Sequence, residues 1–222
     1  MTSNTSIIHD SSQYLLPVLP NKGPYNKRYL DQILETLRWS LARFPHSLIV
    51  RCDLRLPSGS QERGGEISRF LASLKEKVSF NLGSRGVDVF GPPFTYMWVK
   101  EIGQDASNPH FHVALIFNRR HYFSLGQYPS EECPITNNLA GRIVSAWASV
   151  LGVPSEDVLG LVHFPRNCSY RISHTDADYM TLYDEVFKRL SYLAKLDTKE
   201  DVSGRSFGCS QGKKIKSGLP HE

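Results

Sequence analysis

At 222 residues, with 40% apolar and 22% charged positions, the chain is sized for one domain with extensions or at most two small ones, and has the make-up of an ordinary soluble globular protein. It holds no run of about eighteen apolar residues, which excludes a membrane-spanning helix. The opening MTSNTSIIHD lacks the basic region and apolar core of a secretory signal.

A net charge of +4 and a pI near 8.8 permit a nucleic-acid partner without requiring one, so that question turns on where the charges sit. Cys52, Cys133, Cys168 and Cys209 are far apart with no CxxC pair. Reduced thiols in a cytoplasm are the expectation, not a zinc ribbon or a disulfide scaffold. Cys168 and Cys209 flank the last predicted helix and can lie near each other.

Residues 1–24 are polar and proline-bearing and read as a mobile arm or a surface strap. From Asn26 to Phe44, Tyr29, Ile33, Leu34, Leu37 and Leu41 recur at helical spacing and predict an amphipathic helix ending before Pro45. Over 46–56, Leu48, Val50, Cys52, Leu54 and Leu56 alternate with Ile49, Arg51, Asp53 and Arg55. That is the period of a half-buried strand whose polar face carries two arginines.

A Gly/Ser-rich turn leads to a second helix at about 66–80. The segment FTYMWVKEI is β-rich, and the polar turn QDASNP joins it to the strand HFHVALIF as an antiparallel hairpin. A third helix is predicted over 137–151, a fourth strand over 158–164 (VLGLVHF), and a last helix over 178–197, capped by Thr175 or Asp176. Residues 201–222, with Lys213, Lys214 and Lys216, read as a flexible basic tail. Leaving out the first helix, the order is β-α-β-β-α-β plus a helix. It predicts an α+β, ferredoxin-like domain with a mainly antiparallel sheet, helices on one face and the site on the other.

The stretch EIGQDASNPHFHVALIFN carries the chemistry. Residues two apart on a strand share a face, so His110 and His112 project together while Phe111, Val113, Leu115 and Phe117 point the other way. Glu101, nine residues earlier, can be folded back by the hairpin. Two imidazoles and a carboxylate make a divalent-metal site with positions left open for water or a phosphate oxygen. By ligand softness alone the set suits Zn²⁺ better than Mg²⁺ or Mn²⁺.

On the last helix, Tyr179 and Tyr183 share the apolar side. Tyr192 lies about 180° from Tyr183 on a continuous helix. Its neighbours at contact spacing are Lys188, Lys195 and Lys199. Nearby ammonium groups favour a phenolate, which makes Tyr192 a candidate nucleophile and Lys195 its partner in offsetting phosphoryl charge. The two sites joined suggest phosphoryl transfer on DNA, with Arg51, Arg55, Lys188 and Lys199 along the strand backbone.

His110-Phe111-His112 on a strand, followed by Tyr192-Leu193-Ala194-Lys195 on a helix, resembles the HUH endonucleases that start rolling-circle replication. More closely, WVKEIGQD...PHFHVALIFN, GLVHFP and RLSYLAKLDTK...RSFGCS resemble the inovirus Gp2-type proteins, the YagK/YfjJ C-terminal domain family of phages and integrated elements. The resemblance implies an HUH-type catalytic domain over residues 25–200, with its palm core at 46–197. It implies single-strand DNA nicking and joining at a replication origin, with a hairpin, in the cytoplasm of a bacterial host.

It further implies Mg²⁺ or Mn²⁺ in preference to Zn²⁺, because the phosphate brings hard oxygen ligands. A host helicase and polymerase would serve as partners. Two alternatives stay open. One is a non-catalytic single-strand-binding module that stacks bases on Tyr96, Trp98 or Tyr192; the other is a transposase or relaxase using the same chemistry. His163 and His121 can approach the site, though a lone histidine is more often structural.

Overall fold

The computed structural model describes residues 7–60, 63–101, 109–129, 136–196 and 206–211. Strand β1 (Ile7–Ile8) pairs antiparallel with β2 (Tyr25–Asn26). Asn26 also caps α1 (Lys27–Arg43), its side-chain oxygen accepting from the Tyr29 N–H at 3.2 Å. The predicted stripe of α1 is buried through Leu30, Ile33, Leu34, Leu37 and Leu41, and Pro45 separates it from β3 (His46–Arg55).

Next come α2 (Glu66–Ser84), β4 (Phe94–Glu101) and β5 (His110–Asn118). Helix α3 (Leu139–Leu151) is capped by Asn138 and stopped by Gly152 at φ 73°, a left-handed conformation that glycine adopts without strain. The chain continues through β6 (Val162–His163), β7 (Ser169–Ser173), α4 (Tyr179–Leu190) and β8 (Phe207–Cys209).

One fully antiparallel sheet organises these elements, in the order β6-β3-β5-β4-β8, with β7 sharing the β3 edge with β6. Its four principal positions thus follow the ferredoxin-like arrangement, and the α+β class with a mainly antiparallel sheet is as predicted. Phe111 sets the phase of β5. It is 2% exposed and meets Trp98 and Trp147 edge-on at 6.2 Å, which turns its neighbours His110 and His112 to the opposite face. Trp147 in turn donates from its indole N–H to the Arg55 carbonyl at 2.8 Å, tying α3 to the end of β3 beside the site.

The distribution of helices differs from the sequence expectation. Helices α2 and α3 cover the Phe111 face as predicted. The other face is covered too: α1 and α4 pack on Ile49, Met97, Val99, Ala114, Ile116 and Ile172. The open sheet face therefore shrinks to the end of the strands, where those apolar residues give way to Arg51, Asp53, Glu101, His110 and His112. The reason lies in the sequence of β5, which alternates polar and apolar only at His110 and His112. Ala114 and Ile116 are apolar on the polar phase, and a strand apolar on both phases needs cover on both faces.

Three further segments depart from expectation. Residues 155–161 form a 3-10 turn, leaving only Val162–His163 of the predicted fourth strand; most of the β3 edge is paired instead by β7. The last helix ends at Leu190 and tightens into a 3-10 turn over Ser191–Ala194. Asp176 does not cap it: its carboxylate accepts from the Ser173 N–H at 2.7 Å, and Asp178 holds the cap position.

Within the segment expected to be a tail, Phe207–Cys209 pairs with Met97–Val99 as an edge strand. Its Gly208 is required there, because a Cβ would lie 2.6 Å from the Trp98 indole. Cys168 lies beside β7 and Cys209 on β8, at opposite edges of the sheet, so the two are not neighbours; both are free thiols. Cys133, the QDASNP turn, Lys199, Lys213, Lys214 and Lys216 lie outside the described residues. Among the described residues no helix is long and apolar enough to cross a membrane.

Candidate metal and tyrosine site

Sheet register assembles the site in rows. Across the outermost row Arg55 pairs with His110 and His110 with Glu101; in the next, Asp53 pairs with His112 and His112 with Val99. Paired residues on antiparallel strands share a face, so Glu101 needs no long reach: it is the direct cross-strand neighbour of His110. On the far side of Asp53, β6 brings His163 into the same row.

His112 is clamped between two carboxylates. Its Nδ1 lies 2.6 Å from Asp53 Oδ1 and its Nε2 3.0 Å from Glu101 Oε2. His110 Nε2 lies 3.6 Å from the same Glu101 oxygen. One donor atom from each of Glu101, His110 and His112 falls within 4.8 Å of the others. Donors on one ion at about 2.1 Å stand roughly 3.4–4.2 Å apart, so the set must draw in by about an ångström. His110, with a side chain 24% exposed, has the room to turn. The set fits a divalent ion held by three protein ligands with open positions remaining.

Asp53 acts one step behind the ligands. With its Nδ1–H donated to Asp53, His112 presents Nε2 toward Glu101 and His110, the tautomer a metal needs. Asp53 Oδ1 also accepts from Arg51 Nη2 at 3.1 Å. The 3.3 Å approach of Arg51 Nη2 to His112 Nδ1 is then a contact of two donors over one acceptor. Burial alone would raise the Asp53 carboxyl, but the His112 hydrogen bond and the charges of His112 and Arg51 outweigh it and bring its pKa to about 2. Burial likewise opposes charge on His112, and the Asp53 and Glu101 carboxylates overcome it, so the imidazole is more basic than an ordinary histidine.

Tyr192 reaches this cluster from the 3-10 turn. Its ring meets His112 edge-on at 5.0 Å, and the Arg51 guanidinium lies 5.1 Å from the ring centroid. The sequence-predicted nucleophile and metal ligands are thus brought together, though not in the predicted surroundings. The change from α-helix to 3-10 turn at Ser191 turns Tyr192 by a few tens of degrees from its place on a continuous helix.

Among the cations acting on Tyr192 are Arg51 and Arg189. Burial, followed by the Glu101 carboxylate, raises its pKa above that of an ordinary tyrosine. Burial and the carboxylates thus oppose the expected phenolate. The backbone of Lys195 closes the turn, its N–H donating to the Tyr192 carbonyl at 3.1 Å, and it forms a β-bridge with Tyr25.

Other predicted residues divide. Arg51 is 4% exposed, so it is part of the site's interior and cannot follow a DNA backbone. Arg55 is exposed and borders a groove with Ser58, Gly59 and His110. Lys188 lies half-buried in a separate groove on α4. His163 does approach, its Nδ1 3.5 Å from Asp53 Oδ2. His121 lies just beyond the Asn118 end of β5, opposite the end that carries His110. Trp98 is buried beneath β8 on the other face, so it cannot stack a nucleobase.

Residues 9–210 match the YagK/YfjJ C-terminal domain family. The chain belongs to that family. It is 32% identical over 203 residues to "Uncharacterized protein YagK" of Escherichia coli (strain K12), covering 85% of this chain and 95% of that protein. To "Uncharacterized protein YfjJ" of the same organism it is 30% identical over 206 residues, covering 86% and 97%.

Among solved structures, the N-terminal nuclease domain of minute virus of mice non-structural protein-1, described with Zn²⁺ in its active-site pocket, aligns over 81% of this chain and 78% of that one. The identity is 13% and the TM-score 0.29, a superposition too loose to bear on the site. In this YagK/YfjJ-family chain, sequence reasoning missed Asp53 and the burial of Arg51. The signal was an acid and a base two apart on the polar phase of a strand otherwise rich in apolar residues, a pairing expected of buried charge.

Proposed function

We propose that the protein is a metal-dependent endonuclease that nicks and rejoins single-stranded DNA through Tyr192, serving replication of a phage or integrated element. The observation that supports this most is the contact of the Tyr192 ring with His112, itself one of three convergent metal donors. A tyrosine kept only for packing has no need of a carboxylate–imidazole cluster against its ring, and a metal site kept only for stability has no need of open positions.

Glu101, His110 and His112 would hold the ion, Mg²⁺ or Mn²⁺. When bound it would polarise the scissile phosphate and offset the Glu101 charge that opposes a phenolate. Tyr192 then attacks phosphorus through its phenolic oxygen. The P–O3′ bond breaks, the 3′ oxygen takes up a proton in place of the one the phenol gives up, and the 5′ phosphate remains esterified to Tyr192. Attack by a 3′-hydroxyl on that ester reverses the step and joins strands. Arg51 and Asp53 hold Tyr192 and His112 in place, and Lys195 offsets charge on the phosphoryl oxygens.

Incubating the protein with single-stranded oligonucleotides and Mn²⁺ should give a Tyr192-linked adduct, visible as a mass shift on the tryptic peptide. Tyr192→Phe should bind the oligonucleotide and form no adduct. An adduct that survives the substitution overturns the assignment; binding without any adduct in the unsubstituted protein favours a single-strand-binding module instead.

A further inference from the structure

A second polar groove, with a volume of about 530 Å³, lies at the β3 edge of the sheet. Arg166, Asn167 and Tyr170 line it from one side and Glu185, Lys188 and Arg189 of α4 from the other. Register places it beside the metal cluster. His163 pairs with Asp53 and Ser169 with Val50, and the Arg51 N–H donates to the Cys168 carbonyl at 2.6 Å. The 164–168 connection therefore runs alongside Arg51 and Asp53.

Arg189 links the groove to the nucleophile. Its Nη2 donates to the Arg166 carbonyl at 3.3 Å, and its charge acts on the Tyr192 phenol. Its Nε is buried with no hydrogen-bond partner among the described residues. Arg189 as a whole lines the groove, and the planar fork of a guanidinium suits phosphate oxygens. Three cations face one carboxylate, Glu185, so the groove as a whole attracts an anion.

We infer that this groove binds the phosphodiester backbone of the single strand next to the phosphate that Tyr192 attacks. The inference rests on the nicking reading for its substrate, but its geometry is independent of the metal donors. Arg166 and Lys188 contact backbone phosphates, and Arg189 both contacts phosphate and holds the 164–168 connection against α4. The contacts are to phosphate, so they act on any sequence.

The test is anisotropy of a labelled single-stranded oligonucleotide on the full chain across a salt series, beside the adduct assay on the unsubstituted protein. Arg166→Ala and Lys188→Ala should each weaken binding about three- to tenfold at 0.1 M salt, and lower the slope of log K against log salt by about 0.7. Lys75→Ala, a matched charge loss on exposed α2, should change neither. Equal effects of all three, or no effect of the groove variants while their melting temperatures are unchanged, overturn the inference. If the unsubstituted protein forms no adduct yet the groove variants lose affinity and slope, the groove stands and the nicking reading fails. If adducts form and the groove variants bind as before, the nicking reading stands and the groove fails.

Discussion

Asp53 Oδ1 lies 2.6 Å from His112 Nδ1, and this one bond decides which nitrogen of the imidazole faces the rest of the site. It also joins the buried Arg51 charge to the candidate metal donors, since the same oxygen accepts from Arg51. Asp53→Asn keeps the shape but removes the charge. It should lower Mn²⁺ affinity about 10- to 100-fold by calorimetry. It should also lower stability by about 3 kcal/mol, because Arg51 is left as a buried charge without its carboxylate. Unchanged affinity would mean that His112 is oriented by packing alone.

His110→Ala with His112→Ala should abolish cleavage and reduce Mn²⁺ binding to background, while the sheet persists by circular dichroism. EDTA should do the same to the unsubstituted protein, with activity restored by excess Mn²⁺. Full activity in EDTA would remove the metal from the mechanism.

A proton and an ion held at the proposed site would compete for His112. Its carboxylate neighbours hold the proton to a higher pH than an ordinary imidazole, whose midpoint is 6.5, and a bound ion must displace it. Apparent Mn²⁺ affinity should therefore already be falling above pH 6.5 as the solution is acidified, with net proton release on binding when calorimetry is repeated in buffers of different ionisation enthalpy. A flat profile between pH 8 and pH 6 (roughly the span in which histidines titrate) would contradict the clamp.

Lys195→Ala should slow adduct formation by about 10²-fold with little change in oligonucleotide affinity. A loss of affinity with an unchanged rate at saturation would make this lysine a backbone contact rather than part of the reaction.

Gly208→Ala should displace β8, since the added Cβ would overlap the Trp98 ring. The expected cost is about 1–3 kcal/mol, with faster hydrogen exchange at Lys100, whose N–H donates to the Ser206 carbonyl at 2.8 Å. Protection unchanged at Lys100 would show that the edge yields without separating.

Much of this was legible in the sequence because periodicity reports local geometry. The alternation around Phe111 predicts the projection of His110 and His112, and the Asn26-to-Pro45 stripe predicts α1. What the sequence hid was rotation and cover. The wheel drawn around Tyr192 assumes an unbroken helix, whereas a 3-10 turn begins at Ser191, and no wheel could show Arg51, which reaches the ring from another element. Arg51 read as a surface cation because its strand alternates. Its burial depends on α4, whose docking rests on contacts distant in sequence. The β3 edge was assigned to VLGLVHF for its apolar run, while SYRIS, more polar and preceded by Asn167 at φ 55°, supplies most of the pairing.

The turn that carries Tyr192 is fastened to the opposite end of the chain. The Leu19 N–H donates to Ser191 Oγ across 172 residues, the Leu196 N–H donates to the Pro24 carbonyl, and Tyr25 bridges Lys195. Contacts of such separation are closed late, after the loops between them are already ordered. A chain still emerging from the ribosome would therefore have its histidines and carboxylates paired before its tyrosine is seated. The tyrosine would then arrive at a cluster whose register is already fixed.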